Sequence, residues 1–474
     1  MGMLKKILSF FLILSALVSL SGCKKEVKKE HETFIWYYPC QTFRDSQLVN
    51  DKANEIFREK LGVEVKLVPV STDFYNEKMS TVISMNEEYD ICYTSNWTNN
   101  FYDNVVYEDE FVQLDELLRE TPFLQETIPE IAWTGAKIEG KICAVPNYQL
   151  LDGGQRCLMI EEDVYEKYKE LFDNVKTIED IEPVLEAESK DGGAEYLLDN
   201  KNLSDFWLMN EQIVGAEMFS VKVGDSKVFC SYLQPEYKEY IELMSKWYNK
   251  GYIENKNITN LNGKTKIVVT MYKPGAIIYD DEGNRKKMKI LILSEAILSQ
   301  NVGGSAMTAI SKKCKNPLMA LKIIELVNKD KELYNLLCFG VEGKHFEKES
   351  ENVITLKNTM DYRPNKDWVF GNQFNAYYTS AEDVGSWEET DKINKFAKRG
   401  KLMGFTFDQK NVKDEIMMLK SIVSEYSYLS NGVSNIGDDY DEFVQKLKDA
   451  GCEKVEKEIQ RQIDEFLAKK EIGG

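Results

Sequence analysis

The sequence predicts an α/β fold arranged as two large lobes, and three observations carry that expectation. Near its start the chain reads strand, helix, strand, helix, strand, the order that builds a mostly parallel sheet with covering helices. The 474 residues exceed the roughly 100–200 that one domain usually holds. Hydrophobic residues make up 43% and aromatic residues 11%, enough for well-filled cores.

The segment before the first strand sets the location. Lys5 and Lys6 precede an apolar block from Ile7 to Leu20, short of the roughly 20 residues a membrane-spanning helix needs. A basic start, a short apolar run and small residues are the pattern of a secretory signal peptide, predicted here over 1–22. The run closes in Leu20-Ser21-Gly22-Cys23, which resembles the lipobox of bacterial lipoproteins. The resemblance implies that Cys23 carries a diacylglyceryl group and becomes the mature N-terminus, a role suited to a nucleophilic thiol. Two acyl chains anchor a protein durably where one holds it marginally. The alternative is an ordinary cleaved signal followed by an incidental cysteine. Residues 23–33 are charged and nearly devoid of apolar groups, so they read as a solvated tether.

The formal net charge is −19, from 79 acidic and 60 basic residues. Such a surface repels phosphate backbones and excludes nucleic acid as a partner. Nine cysteines are scattered without a C-x-x-C pair or zinc spacing, so no metal site is expected. With Cys23 lipidated, eight remain, an even number open to pairing. Cys92, Cys143 and Cys338 nevertheless lie in apolar segments, where a free thiol acts as a small buried hydrophobe.

The elements follow in order. "TFIWYYPC" is an apolar strand ended by Pro39, and a helical pattern runs from Ser46 to Lys60, stopped by Gly62. "VEVKLVPV" alternates as a strand, Asn76 to Met85 is helical, and "YDICYTSNW" is a short strand entering a polar turn. Ligands bind beyond the carboxyl ends of such parallel strands, which places Trp36, Tyr37, Asn96 and Trp97 at a candidate rim. "FVQLDELLRETP" reads as helical, and "IEGKICAVPNYQ" as a turn and short strand. In "TIEDIEPVLEAES", Thr177 and Asp180 stand at capping-box spacing. "KEYIELMSKWYNKGYI" is a helix stopped by Gly251, and "KIVVTM" and "KILIL" are strands. Asn316 and Pro317 are suited as N-cap and first residue of the following helix. In the last helix Val455, Ile459, Ile463 and Phe466 form one apolar stripe.

The lipobox, the βαβαβ opening, "FVQLDELL", "GKICAVPN", "NVGGSAMTAI", "DWVFGNQF" and the closing "GFTFDQKNVKDEI" with "AGCEKVEKEIQRQIDEFLA" together resemble bacterial extracellular solute-binding lipoproteins of family 1. These are the capture subunits of ABC importers, and the ending resembles the C-terminal domain of one subgroup. Cys143 departs from the aromatic residue usual in the family. The resemblance implies a two-lobe periplasmic-binding-protein-like fold with the ligand in the cleft between lobes. Lobe 1 is then expected over 34–148 plus 305–358, and lobe 2 over 149–304 plus 359–474, including a C-terminal helical subdomain. Crossings are expected at Asn147–Gly154, at Gln300–Gly304 and near Asp361.

The resemblance further implies a monomeric extracellular receptor on the cell membrane, a carbohydrate ligand and ABC permease partners, with no cofactor. The residues fit a sugar ligand, whose apolar face stacks on aromatic rings while its hydroxyls take amides. The 25 tyrosines and 7 tryptophans supply rings, and several sit beside amides. Beyond the four rim residues, the candidates are Asn147, Gln149, Trp368, Asn372 and Gln373. Against these stands the ordinary use of such residues as core, cap and turn. Of two histidines, His31 lies in the tether and His345 beside Glu342. No nucleophile, phosphate-loop or zincin motif occurs. Among so many acids a glycosidase pair is not excluded by inspection, so a secreted hydrolase is one alternative. A receptor for a peptide or another polar metabolite is the other.

Overall fold

The strand Thr33–Pro39 organises the first lobe. In this computed structural model, residues 31–151, 155–191, 198–199, 210–253, 266–278, 285–300, 302–364, 366–432 and 436–473 are described. The signal segment, Cys23, most of the tether, and Gly153 and Gly154 of the first expected crossing lie outside them.

Thr33–Pro39 pairs in parallel with Glu64–Val70 along its full length and with Ile91–Thr94 on its other side. Met307–Ile310 continues the sheet antiparallel to Ile91–Thr94, and Val145–Pro146 closes it. Helix Ser46–Leu61 buries Val49, Ala53 and Phe57, and Gly62 ends it in the left-handed conformation at φ 72°, donating to the Arg58 carbonyl. The same helix protects the sheet edge. Asn50 donates to the Val65 carbonyl at 2.8 Å and accepts from Leu67 N–H at 3.1 Å. Asn54 makes the matching pair with Val65, at 3.0 and 2.6 Å. Outward-facing strand groups that would template another chain are thereby paired internally.

The second lobe departs from the mostly parallel sheet expected in each lobe. Gln155–Glu161 pairs antiparallel with both Ile267–Tyr272 and Met288–Ile292, and Asn210–Ile213, Ala216–Lys222 and Val228–Cys230 form an antiparallel meander. Short turns rather than crossover helices join the meander's strands, which forces the antiparallel arrangement. Its edge is also covered: Val228 N–H donates to Gln460 at 2.9 Å and Cys230 N–H to Glu456 at 3.2 Å, both on helix Cys452–Gly473. Val455, Ile459 and Ile463 on that helix are fully buried, and Phe466 packs against Phe405.

Two further differences are local. "FVQLDELLRETP" contains only a 3-10 turn, Leu117–Glu120, because Val112 and Leu114 N–H groups bond to the carbonyls of Ile310 and Ile142 instead of within a helix. The helix expected from Asn76 starts at Thr72. Asn316 does cap its helix, accepting from Met319 N–H at 3.2 Å.

Two cores divide the chain. The first takes residues from Phe34 to Leu151, from Leu298 to Cys338, and Val369, Phe370 and Ala376; the second runs from Leu158 to Val269 and from Leu402 to Ile463. Residues after 358, expected with lobe 2, therefore pack first on lobe 1: Asn147 holds the Val369 carbonyl, and Arg44 pairs with Asp361. The third crossing lies at 397–402 rather than near Asp361. There Lys398–Arg399 pairs in parallel with Ile297–Leu298, so two crossing segments form one small ribbon. Beside it, Gly303 at φ 73° approaches so closely that an added Cβ would stand 2.0 Å from the Ala132 carbonyl oxygen.

The eight described cysteines are buried free thiols, so the pairing alternative is not realised in this structure. His345 is fully buried and structural. It accepts from Val341 N–H at Nδ1 and bonds Asp45 through Nε2 at 3.0 Å, while Glu342 pairs with Lys348. Among the described residues, no helix is long and apolar enough to cross a membrane, and no group of three or more His, Cys, Asp or Glu could hold a metal ion.

Candidate binding cleft

Past the carboxyl end of Ile91–Thr94 the chain turns tightly. Ser95 Oγ accepts from Trp97 and Thr98 N–H at 3.3 and 3.0 Å, and Asn99, at φ 43°, donates through its amide to the Tyr93 carbonyl at 2.8 Å. This turn holds Trp97 half exposed, at 50%, with its indole N–H donating to the Ser305 carbonyl at 2.8 Å. One ring edge is fixed while the rest of the surface stays open.

Trp368 reaches the same place from "DWVFGNQF". Its ring lies 5.6 Å from Tyr93 and 6.1 Å from Trp97, and Lys366 Nζ sits 4.9 Å over it. Asn147 fixes this segment, donating to the Val369 carbonyl at 2.6 Å and accepting from Thr308 at 3.0 Å.

Two crevices between the lobes flank this aromatic pair, Trp97 lining one and Trp368 the other. One, of about 670 Å³, is lined by Asn96 and Trp97 from the first lobe and by Arg156, Glu211, Gln212, Glu217, Met271 and Glu295 from the second. The other, of about 340 Å³, holds Trp368, Lys366, Gln373 and Trp387 opposite Lys273, Gly275 and Ile277. Both volumes fall in the roughly 300–1,000 Å³ typical of small-molecule sites. Burial lowers the pKa of Lys273 and of Lys366 from the usual ammonium value.

Of the nine candidates named from sequence, Asn96, Trp97, Trp368 and Gln373 line these crevices. Trp36 does not: it is 1% exposed and packs edge-on against Phe370, because alternation turns it into the first core. Tyr37 packs against Tyr89, beneath Lys78. Asn147 is buried with its amide fully engaged, so it positions Trp368 rather than facing the cleft. Asn372 caps a turn through Phe374 N–H, and Gln149 meets Lys273 at 3.4 Å. Sequence reasoning missed the entire second-lobe wall. The strand-end rule that found Trp97 applies to parallel sheets, and Arg156, Met271 and Ser294 come from antiparallel strands and their exits.

The chain has a two-lobe α/β fold with crevices between the lobes. Residues 401–468 match the family described as a domain of unknown function, DUF3502. A carbohydrate ABC transporter substrate-binding protein of Streptococcus pneumoniae is 27% identical over 443 residues, covering 90% of this chain and 89% of the relative. The crystal structure of the N-glycan transport solute binding protein NgtS of Streptococcus pneumoniae superposes with a TM-score of 0.78 at 24% identity, over 93% of this chain and all of that one. A solute-binding protein from Bifidobacterium longum infantis that binds HMO superposes at 0.59 with 13% identity, over 93% and 100%. The resemblance to extracellular solute-binding proteins of ABC importers drawn from the sequence is borne out.

Proposed function

We propose that this protein is an extracellular receptor, held to the membrane through Cys23, which captures an oligosaccharide between its lobes as a monomer and delivers it unchanged to an ABC permease. The observation that carries this reading is the Trp97–Trp368 pair, each ring lining one of two interlobe crevices. Flat rings stack on sugar faces, and the amides of Asn96 and Gln373 beside them suit hydroxyls. The names of the Streptococcus pneumoniae relative and of the structural neighbours, which concern carbohydrate and N-glycan transport, support a glycan ligand here. Closure of the lobes dries these hydrogen bonds and strengthens them. Micromolar capture needs only about 8 kcal/mol.

Titration calorimetry with a defined oligosaccharide library tests the reading, with the ligand analysed afterwards. Saturable binding and recovery of intact sugar are expected. Shortened products would make the protein a hydrolase, and binding of peptides in place of sugars would change the ligand class.

A further inference from the structure

The crevice beside Trp368 gathers three cations against two acids, the reverse of the chain's overall balance. The chain carries a net charge of −19, yet Lys273, Arg363 and Lys366 all line this one recess. Among the described residues, Lys273 Nζ meets the Gln149 amide oxygen at 3.4 Å, and Lys366 Nζ meets Thr72 Oγ at 3.1 Å and the Trp368 ring. Among the described residues neither lysine forms an ion pair, although Asp367 and Asp73 lie near enough to favour their charged forms. Of the two acids on the same wall, Asp383 is matched by a bidentate Arg285 at 2.9 and 2.7 Å, and Asp367 accepts from Gln373 at 2.7 Å. Desolvated ammonium groups without a carboxylate partner cost stability and are retained where a ligand supplies the missing charge. Two further groups await a partner here: Gln373 Oε1 and Ser386 Oγ are buried, unbonded, and line the recess.

We propose that this recess receives a negatively charged sugar residue, a carboxylate-bearing unit of the captured oligosaccharide, with Lys273 and Lys366 as its counter-charges and Trp368 as its stacking wall. The proposal rests on the reading of the protein as a glycan receptor and names the class of glycan. Gln373 Oε1 accepts from a ring hydroxyl, and Ser386 either donates or accepts. The two ammonium groups hold the carboxylate through charge-assisted hydrogen bonds, which are worth more than neutral ones in a desolvated recess. The negative field of the whole protein opposes such a ligand at long range, so recognition depends on this local reversal.

Calorimetry on matched pairs tests it: 3′-sialyllactose against galactosyl-lactose, and trigalacturonate against trigalactose. In at least one pair the acidic member is expected to bind about tenfold more tightly or better. The advantage should shrink as salt rises from roughly 0.05 to 0.5 M. Lys273→Gln and Lys366→Gln should each cut the acidic-to-neutral ratio at least about threefold, with folding checked by thermal unfolding. Lys457→Gln, exposed on the C-terminal helix, serves as the charge control and leaves the ratio in place. The salt series on the unaltered protein decides the matter even if a lysine variant unfolds. Neutral members binding as tightly as acidic ones, with a ratio indifferent to salt and to both lysines, would overturn the proposal and leave the glycan receptor standing. Failure of every sugar to bind would remove both.

Discussion

Trp97 and Trp368 face each other with ring centroids 6.1 Å apart at an interplanar angle of 55°, and each also contacts Tyr93. Trp97 comes from the end of a sheet strand, and Trp368 from a loop that reaches the same lobe late in the chain. Their roles differ in how much of the fold leans on them. Trp97 is half exposed, so Trp97→Ala should weaken oligosaccharide binding about tenfold while lowering the unfolding temperature little. Trp368→Ala should weaken binding as much and also cost about 1 kcal/mol of stability through its lost contact with Tyr93. Calorimetry and thermal unfolding of the two variants side by side check this. An unaltered affinity in Trp97→Ala would remove its stacking role.

Gly303→Ala is expected to damage the lobe junction. Its φ of 73° disfavours any L side chain, and the new Cβ would have to displace the Ala132 carbonyl oxygen 2.0 Å away. Backbone strain alone costs about 1–3 kcal/mol, and the clash adds to it. A large fall in the urea midpoint is the expected reading; a change within error would mean that the segment shifts freely.

Cys23→Ala should release the protein from bacterial membranes into the medium, since two acyl chains at that thiol are the proposed mooring. Fractionation and immunoblotting read this directly. A variant that still sediments with membranes points to an ordinary signal or a different anchor.

The first lobe was legible because its opening strands read as one apolar run, TFIWYYPC, and one alternating run, VEVKLVPV, with punctuation at Pro39 and Gly62. Trp97 was legible for the same reason: it stands just past a parallel strand's carboxyl end. Trp36 misled, since a tryptophan three residues before a strand's close looks like rim until the sheet face it occupies is known to be core. The second lobe was harder. Which side of an antiparallel meander faces a cleft depends on how the lobes are joined, and the third crossing at 397–402 reads as an ordinary basic surface stretch, Lys398-Arg399-Gly400-Lys401, with no proline to mark it. Lys273 and Lys366 were hidden among 60 basic residues, and only their missing partners distinguish them.

Asn50 supports the edge strand in a way its position within a helix does not announce. It satisfies the Val65 carbonyl and the Leu67 N–H, and it is nearly buried. Asn50→Leu keeps the volume and leaves Leu67 N–H without its partner, while Asn54 still serves the Val65 carbonyl, at a cost of about 1–3 kcal/mol for the donor left unpaired. Denaturant unfolding should show a clear loss of stability, with tendency to associate through the exposed edge visible in light scattering. If the variant matches the parent in both, water replaces the amide without penalty.

The acid limb of stability should be governed in part by Asp45, which joins the helix start at Ser46 to the distant Lys344–His345 turn. Hydrogen bonds from Lys344 and then His345 hold its carboxyl below the ordinary value of 3.8. A depressed carboxylate pKa contributes stability that is fully present above the unfolded value and is lost as pH falls through the folded one. Asp45→Asn should therefore be less stable than the parent by a constant margin at neutral pH. That margin should begin to close near pH 3.8 and vanish below the folded pKa. Unfolding midpoints of both proteins measured from neutral to strongly acidic pH check the sign. A margin that widens in acid, or one that is absent at neutral pH, would show that Asp45 is not held in its charged form by these two partners.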